Sequence, residues 1–572
     1  MIAAIIFGGA ALFLAAYVFY GRFLSRHFDL TISDETPAHS LRDDIDYAPA
    51  KPAVLLGHHF SSIAGAGPIV GPIFATLIFG WGPAVIWIIL GSIFIGGVHD
   101  FGALAISLKH RAQSIAQVAR EELSPLAGRL FLAFVWLALV YVLVVFLDLT
   151  AGTFAPSIPA GVGPQRSAEL LARGGGVATS SLFFVLLAIC FGIAVRRFKL
   201  PVWLASSIFV PLMFLGIFLG HWMPLTADLL PTIGGSAATT WRMLLIVYCF
   251  IASVTPVWIL LQPRDYLSSF FLYACLGGGL LGVLFGALGS STVATLAYPA
   301  FLGFHSDKLG YLFPALFITI ACGACSGFHS LVASGTTAKQ LDRTKDARLI
   351  GYGSMLIEGL LALLSVGTVA VLSHNSPEVG SAPPAIFAVG LSRFLAQLGI
   401  PASWGTGLGM LALSTFLLTT LDTGTRLCRY VVIELFSLKG RRAAAAATAG
   451  SLAIPLLLGL STFHDPAGNV VPAWKIIWPV FGATNQLLGG LALMVISVWL
   501  RRRGKSAWPT ALPMYFMLVA TLLALVQLVF QHGASIIGAI AAFLLLLAVV
   551  LLAEAARVTR RSRQPTKPSP SA

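Results

Sequence analysis

One stretch of the sequence decides the fold: Gly-His-His-Phe-Ser-Ser-Ile-Ala-Gly-Ala-Gly-Pro-Ile-Val-Gly-Pro, at residues 57–72. Glycines and prolines interrupt an apolar run that is otherwise long enough to cross a bilayer. Proline removes a helical hydrogen bond, and glycine has no side chain that restrains the backbone. Because hydrocarbon cannot satisfy freed backbone groups, such a break must line a polar cavity or lie inside protein. The stretch predicts a membrane helix broken near its middle; close packing through small residues is the alternative.

The composition of the whole chain is that of a membrane protein. Of the 572 residues, 57% are apolar and 10% are charged, whereas about 25% of the residues in an average soluble domain are charged. These values exclude a soluble globular protein and a disordered chain. The formal net charge of +14 is expected from basic cytoplasmic loops rather than from a nucleic-acid partner.

Apolar runs of about 20 residues, the length that a helix needs to cross a bilayer, recur along the chain. We therefore predict an all-α polytopic membrane protein with about fifteen transmembrane helices. The predicted helices lie near residues 2–20, 54–79, 83–108, 128–150, 178–197, 201–220, 241–262, 270–298, 311–335, 349–372, 403–428, 444–462, 474–499, 509–530 and 535–557.

Basic residues cluster in alternate loops between these predicted helices. The clusters lie at residues 109–129, 196–199, 264, 339–348, 439–442, 501–505 and 557–567. Each cluster follows an odd-numbered helix, and cytoplasmic loops are the ones enriched in Lys and Arg. The pattern predicts an N-terminus outside the cell and a cytoplasmic C-terminus. The aspartate-rich loop at 21–53 fits least well, although acidic residues count little in this rule.

A second interruption is expected five helices later, at residues 253–266, Ser-Val-Thr-Pro-Val-Trp-Ile-Leu-Leu-Gln-Pro-Arg-Asp-Tyr. Two oppositely directed broken helices at matching places in two halves are typical of inverted-repeat transporters. The predicted organisation is an N-terminal helix and loop (1–53), a five-helix repeat (54–220), an inverted second repeat (221–430), additional transmembrane helices (431–557) and a basic disordered tail (558–572).

The substrate is expected between the two broken helices. Backbone N–H groups at residues 65–67 would bind a carboxylate, assisted by the positive end of the second half-helix. The candidate substrate-binding residues are Ser61, Ser62, Gly65, Ala66, Gly67, Thr255, Gln262 and His329.

Ionisable side chains at membrane depth are costly and are therefore functional candidates. Histidine titrates nearest neutral pH, which suits proton coupling, although buried histidines also serve as hydrogen-bonded packing residues. Asp422 could instead form an ion pair with Arg426, one helical turn away, and Asp100 could bond to a neighbouring helix. Serines spaced four residues apart could coordinate Na⁺ or bond back to their own helix. The candidates for ion or proton coupling are His58, His59, His99, Asp100, Ser330, Ser334 and Asp422.

Several longer motifs resemble the carbon starvation protein A family. They are residues 57–68, Val-His-Asp-Phe-Gly (98–102), Leu-Leu-Gln-Pro-Arg-Asp-Tyr-Leu (260–267), residues 326–341, Thr-Thr-Leu-Asp-Thr-Gly-Thr-Arg (419–426) and residues 478–486. The resemblance covers about residues 1–500. It implies an inner-membrane uptake protein, because family members are described as peptide transporters and some as proton-coupled pyruvate transporters. The family is grouped with the amino acid–polyamine–cation superfamily, which implies a LeuT-like core of two inverted five-helix repeats.

These observations predict a secondary active transporter that imports pyruvate or short peptides across the bacterial inner membrane, with proton coupling. A Na⁺-coupled carrier and an intramembrane metalloenzyme that uses the histidines are the alternatives. The chain has neither a P-loop nor a His-Glu-x-x-His zinc motif, which argues against a primary pump and a zinc protease. We expect no cofactor, no resident metal, no enzymatic activity and no nucleic-acid partner.

Overall fold

The structure, a computed structural model, describes residues 1–561 except 31–34, 45, 157, 159–162, 227, 228, 230, 231, 234, 235, 290–294, 465–469 and 534. Most of the predicted tail at 558–572 therefore lies outside the described residues. The described chain is almost entirely helical, with two short antiparallel β-hairpins.

The first half of the chain contains ten α-helices and one π-helical turn in its described part. They are α1 (Ile2–His27), α2 (Pro37–Ser40), α3 (Pro52–Ile63), α4 (Gly67–Phe79), α5 (Trp81–Gly91), the π-helical turn Ser92–Gly96, α6 (Gly97–Lys109), α7 (Ile115–Glu122), α8 (Pro125–Phe154), α9 (Pro164–Arg196) and α10 (Val202–Trp222).

The middle of the chain mixes long helices with short irregular turns. Its elements are α11 (Ala237–Val254), α12 (Leu261–Leu288), β1 (His305–Ser306), β2 (Gly310–Tyr311), α13 (Leu312–Thr319), α14 (Gly327–Val332), the π-helical turns Ala333–Thr337 and Arg348–Gly353, the 3-10 turns Thr344–Asp346 and Pro377–Gly380, α15 (Ser354–Ala370), α16 (Pro383–Ala396) and α17 (Ala402–Phe436). In the first hairpin, His305 pairs with Tyr311.

The C-terminal part consists of four long helices and the second hairpin. Its elements are α18 (Arg441–Leu460), β3 (Phe463–His464), β4 (Val470–Val471), α19 (Ala473–Arg502), α20 (Trp508–His532) and α21 (Ile536–Arg561). In the hairpin, Phe463 pairs with Val471.

The polytopic all-α class is confirmed, with fourteen helical segments in the described residues that are long and apolar enough to cross a membrane. The sequence predicts about fifteen, and the predicted helix at 311–335 accounts for the difference. This region forms α13 and α14, separated by residues 320–326. Neither part alone approaches the length of a membrane span.

The predicted break in the helix at 54–79 is present. Helix α3 ends at Ile63, and α4 begins at Gly67. Between them, the Gly65 N–H donates to the Ile63 carbonyl at 2.9 Å, which closes a tight turn instead of continuing the helix. Pro68 follows in the first turn of α4, where its missing N–H costs little.

The predicted break at 253–258 is wrong as a mid-membrane feature. Helix α11 ends at Val254 and α12 begins at Leu261, so Pro256 lies in the connection between two separate membrane helices. The 18 residues of α11 already span about 27 Å. Pro263 lies in the first turn of α12, where proline is tolerated. The second broken helix is instead the α13–α14 region, seven predicted helices after the first.

An odd offset of seven still makes the two broken helices run in opposite directions. The five-helix repeats at 54–220 and 221–430 remain a prediction, because the positions of the breaks alone do not establish them. Burial shows which helices form the centre of the bundle. In an 18-residue apolar stretch of α19, 100% of the residues are buried, whereas 17% are buried in the corresponding stretch of α10. Helix α19, predicted as an addition to the core, is therefore central.

Candidate functional site

The two unwound segments, residues 64–66 and 320–326, lie against each other in the middle of the bundle. A Cβ atom added to Gly67 would overlap the Cβ and Sγ atoms of Cys322, and one added to Gly71 would overlap the carbonyl of Thr319. A Cβ atom on Gly65 would meet the Thr420 hydroxyl of α17. The glycines of the first break thus allow a backbone approach that side chains would prevent.

The start of α4 presents free hydrogen-bond donors at this contact. The N–H groups of Ala64 and Gly65 donate to the carbonyls of Phe60 and Ile63. In the part of the chain that the structure describes, the N–H groups of Ala66 and Gly67 donate to no partner. Unpaired N–H groups at a helix N-terminus attract anions. This geometry is compatible with the predicted substrate-binding role of residues 65–67, which remains a prediction.

The two predicted serines of α3 contact α12. The Ser61 hydroxyl donates to the Asp265 carbonyl at 2.9 Å and lies 2.7 Å from the Ser268 hydroxyl. The Ser62 hydroxyl donates to Asp265 Oδ2 at 3.4 Å. Both serines are fully buried, and their hydroxyls link α3 to α12 in this conformation.

Four residues from three helices form a group that we call the histidine–acid cluster: His99 and Asp100 of α6, His329 of α14 and Glu358 of α15. Asp100 lies between the two imidazoles, with Oδ1 2.7 Å from His99 Nδ1 and Oδ2 2.8 Å from His329 Nδ1. On its other side, His329 Nε2 lies 3.4 Å from Glu358 Oε2. All four side chains are completely buried. The cluster therefore brings three predicted residues, His99, Asp100 and His329, together with Glu358 of α15.

A second group, the arginine–acid cluster, contains His58, Tyr248, Arg264, Asp265 and Asp422. Arg264 Nη1 contacts Asp422 Oδ2 directly, and its Nη2 donates to Asp265 Oδ1 at 2.8 Å. The Tyr248 hydroxyl donates to Asp422 Oδ2 at 2.7 Å, and His58 Nδ1 lies 2.7 Å from Asp265 Oδ2. One buried guanidinium therefore pairs with carboxylates from two helices.

The expected Asp422–Arg426 ion pair is not formed. Asp422 pairs with Arg264, whereas Arg426 donates to the carbonyls of Ala252 and Thr255 at the end of α11. The Arg426 guanidinium also lies 3.4 Å from Asp46 Oδ1. One helical turn separates Asp422 from Arg426 on α17, but packing against α11 and α12 supplies each of them with a different partner.

The predicted role of Thr255 remains a prediction, and the structure places this residue at the end of α11. It caps the end of α11, and its hydroxyl bonds back to the Ile251 carbonyl on a partly exposed surface. Gln262 Nε2 donates to Gln340 Oε1 at 2.6 Å, and Gln340 in turn contacts His58 Nε2 at 3.3 Å. The structure therefore connects Gln262 to the arginine–acid cluster rather than to the first break.

The remaining coupling candidates are His59, which contacts a distant segment, and two serines that bond back to their own helix. His59 Nδ1 lies 2.8 Å from the Thr337 hydroxyl. The Ser330 hydroxyl donates to the Gly327 carbonyl at 2.7 Å, and the Ser334 hydroxyl donates to the Ser330 carbonyl at 2.6 Å. Bonding back to the same helix satisfies these serines without a bound ion.

Asp46, in the loop before α3, lies against the arginine-rich C-terminal part of α17. It faces Arg426, Arg429 and the Tyr430 hydroxyl. Burial raises the pKa of Asp46, but the charges of Lys339 and Arg426 and the hydrogen bond from Tyr430 outweigh that effect and hold the pKa below its ordinary 3.8. Asp46 is therefore ionised at neutral pH and holds this loop against the bundle.

Asn485 of α19 caps the N-terminus of α14, the half-helix that follows the second break. Its Oδ1 accepts a hydrogen bond from the Phe328 N–H at 2.9 Å, and its Nδ2 donates to the Ser326 hydroxyl at 3.0 Å. The first of these bonds satisfies a backbone donor that the break at 320–326 leaves at the start of α14. Helix α19 thus supports the unwound segment directly.

Substitution of Asn485 by leucine is expected to destabilise the protein by about 1–3 kcal/mol, because the Phe328 N–H would be buried without a partner. Thermal unfolding in detergent would measure this as a lower midpoint temperature. The matched control is Gln531→Leu, at an exposed position, which should leave the midpoint unchanged. Equal midpoints for the two variants would show that the cap does not stabilise the half-helix.

Sequence reasoning missed Arg264, Asp265 and Tyr248 as site residues. It assigned Arg264 to a cytoplasmic loop because it placed the end of the preceding helix at residue 262. The structure instead places Arg264 and Asp265 inside α12, fully buried. A signal was present in the sequence, since an Arg–Asp pair directly precedes the apolar run that forms the rest of α12.

The histidines do not converge on a metal site. In the described residues, no group of three or more His, Cys, Asp or Glu side chains is arranged to hold a metal ion. His58 and His99 each face a different carboxylate, Asp265 and Asp100.

Comparison with known proteins identifies the family. The family model described as "Carbon starvation protein CstA" matches residues 1–386 and 374–524. "Peptide transporter CstA" of Mycobacterium tuberculosis (strain ATCC 25618 / H37Rv) is 32% identical over 93% of this chain and 76% of its own length. "Peptide transporter CstA" of Escherichia coli (strain K12) is 30% identical over 93% and 82%. "Pyruvate/proton symporter BtsT" of the same strain is 29% identical over 91% and 81%.

Solved structures that align with this chain include a manganese transporter of Eremococcus coleocola. It is 11% identical, with a TM-score of 0.46, and the alignment covers 91% of this chain and 99% of that chain. The transporter MhsT in complex with L-phenylalanine is 15% identical, with a TM-score of 0.38 and coverage of 89% and 99%.

Proposed function

Because the chain belongs to the carbon starvation protein CstA family, we propose that it imports pyruvate or short peptides across the bacterial inner membrane as a proton-coupled secondary transporter. Its relatives are named as transporters of these two substrate classes. The fourteen apolar helices of the described chain agree with a multi-pass membrane protein. The proposed orientation has the N-terminus outside and the C-terminus in the cytoplasm, as the basic loops indicate.

The contact between the two unwound segments is the observation that carries this proposal. Pyruvate and peptides share a carboxylate, and the free N–H groups of Ala66 and Gly67 are suited to bind one. Both segments are buried, and they belong to oppositely directed broken helices, as expected for a transporter whose site alternates between the two sides. Residues 65–67 would bind the carboxylate, and Ser61 and Ser62 would connect this region to α12.

Proton coupling is supported by the buried histidine–acid cluster. Its histidine and carboxylate side chains alternate, with separations of 2.7 and 2.8 Å between Asp100 and the imidazoles of His99 and His329. Such chains can pass a proton between groups without moving the backbone. The serine face of α14, which is the alternative Na⁺ site, is already satisfied by its own helix.

Uptake into proteoliposomes tests the proposal. With an inward gradient of one pH unit, wild-type protein should accumulate substrate up to about tenfold for one proton per substrate, because one pH unit corresponds to 1.36 kcal/mol. A protonophore should abolish the accumulation. Protein-free liposomes serve as the control. Accumulation that follows an imposed Na⁺ gradient and ignores pH would contradict proton coupling.

Competition between labelled pyruvate and unlabelled di- and tripeptides would identify the substrate class. A peptide requires a partner for its ammonium group as well as for its carboxylate. Asp100, Asp265 and Asp422 are the nearby candidates, and each is already paired with a histidine or an arginine. A peptide would therefore have to displace one of these partners, whereas pyruvate would not.

A further inference from the structure

Glu358 is a buried acidic residue whose carboxylate lacks hydrogen-bond partners in the described part of the chain. It lies within α15 and is completely buried. Among the described residues, neither of its carboxylate oxygens has a hydrogen-bond partner. Its contact in the histidine–acid cluster is His329, whose Nε2 lies 3.4 Å from Glu358 Oε2. The His329 Nε2 atom also lacks a well-formed hydrogen bond.

An ionised carboxylate in such surroundings would be costly, because a buried charge without partners loses its hydration and gains nothing in return. Asp100 does not face this problem, since two imidazoles bond to its two oxygens. Among the described residues, His329 is the ion-pair partner of Glu358, and no Lys or Arg nitrogen lies within 4.0 Å of its carboxylate. The fold therefore supplies no permanent cation that could stabilise the charge of Glu358.

We propose that the Glu358–His329 pair binds the coupling proton, with Asp100 and His99 as positioning residues. This inference rests on the proposed proton-coupled function. In the protonated pair, the proton resides on the Glu358 carboxyl and points at His329 Nε2, while the His329 Nδ1–H donates to Asp100. Transfer breaks the O–H bond of Glu358 and forms an N–H bond on His329. It leaves an imidazolium between two carboxylates, and the net charge of the group stays at −1 because the proton moves only from Glu358 to His329.

The position of this pair connects it to the substrate region. His329 lies in the first turn of α14, immediately after the unwound segment at 320–326. Glu358 is linked to this position by its 3.4 Å contact with His329, and its neighbour Gly359 packs against Ser92. Gain or loss of one proton therefore changes the charge directly beside the second break. This places proton binding next to the backbone that contacts Gly67.

The variant Glu358→Gln tests the inference, because glutamine imitates the protonated side chain and cannot release a proton. In proteoliposomes, this variant should lose pH-driven accumulation and retain exchange of internal for external substrate. Glu358→Asp keeps a carboxyl group and should restore part of the accumulation. The matched control is Glu378→Gln, in the surface loop before α16, where the glutamate pairs with Arg393. It should accumulate substrate like the wild type.

The outcomes separate the inference from the proposed function. Accumulation by Glu358→Gln at the wild-type level would place the coupling proton elsewhere and overturn the inference. Loss of exchange in both Glu358 variants would also overturn it, because Glu358 would then be required for the fold or the whole cycle. A wild-type protein that does not respond to a pH gradient would instead refute the proposed proton coupling itself.

Discussion

Replacement of Gly67 by alanine is expected to reduce transport to the background level, and removal of the Cys322 side chain is expected to restore it. The added methyl group would overlap the Cβ and Sγ atoms of Cys322 across the contact between the two breaks. Overpacking at a tight contact costs about 1–3 kcal/mol and displaces the backbone. Here the displaced backbone would include the free N–H groups of Ala66 and Gly67, which we propose bind the substrate.

The double variant Gly67→Ala/Cys322→Gly makes this prediction specific. Glycine at 322 removes both overlapping atoms, so the two segments can again approach each other. The control is Gly277→Ala in α12, where an added methyl group meets no atom within 4 Å. Uptake of labelled substrate into proteoliposomes would be compared for all four proteins. Normal transport by Gly67→Ala alone, or no recovery in the double variant, would show that the close contact is not required.

The second large effect is expected from Arg264. Substitution of Arg264 by glutamine would leave Asp422 with only the Tyr248 hydroxyl and would remove the cation from Asp265. Removal of one partner from a buried ion pair typically destabilises a protein by about 3–5 kcal/mol, because the other charge remains buried. We expect little folded protein after solubilisation, and a strongly lowered unfolding temperature for the remainder.

A double-mutant cycle would test whether the ion pair is the cause. Adding Asp422→Asn to Arg264→Gln removes the stranded charge, so the double variant should be more stable than Arg264→Gln alone. The exposed pair of Arg393 and Glu378 supplies the control, since surface ion pairs contribute about 0–1 kcal/mol. Arg393→Gln should unfold at nearly the wild-type temperature. Additive effects of the two cluster substitutions would show that Arg264 and Asp422 act independently.

We expect the two clusters to have different roles, one in stability and the other in proton coupling. In the arginine–acid cluster, one arginine lies between Asp265 and Asp422, and we expect this cluster to determine stability. The histidine–acid cluster contains Glu358, whose carboxylate has no hydrogen-bond partner among the described residues, and we expect this cluster to determine coupling. Measurement of both stability and accumulation for Arg264→Gln and Glu358→Gln would reveal whether the roles are separated in this way.

The sequence by itself determined the class of protein, the positions of most membrane helices and the first break. These features depend on local composition: apolar runs of bilayer length, and glycine and proline within such a run. The motif at 57–72 contained its own signal because Gly65, Gly67 and Pro68 lie near the middle of the apolar run. The predicted membrane histidines and Asp100 were likewise found because they are ionisable residues within apolar runs of the sequence.

Only the tertiary structure decided which segment faces the first break and which charges pair. Residues 320–326 contain no proline, and their helix breaks where Asn485 of α19 accepts a hydrogen bond from the freed Phe328 N–H. Asp422 pairs with Arg264, 158 positions away, rather than with Arg426, four positions away. Such choices depend on how separate helices pack, which the spacing of residues along one helix does not encode. For the same reason, the isolation of Glu358 became visible only when all its neighbours were in place.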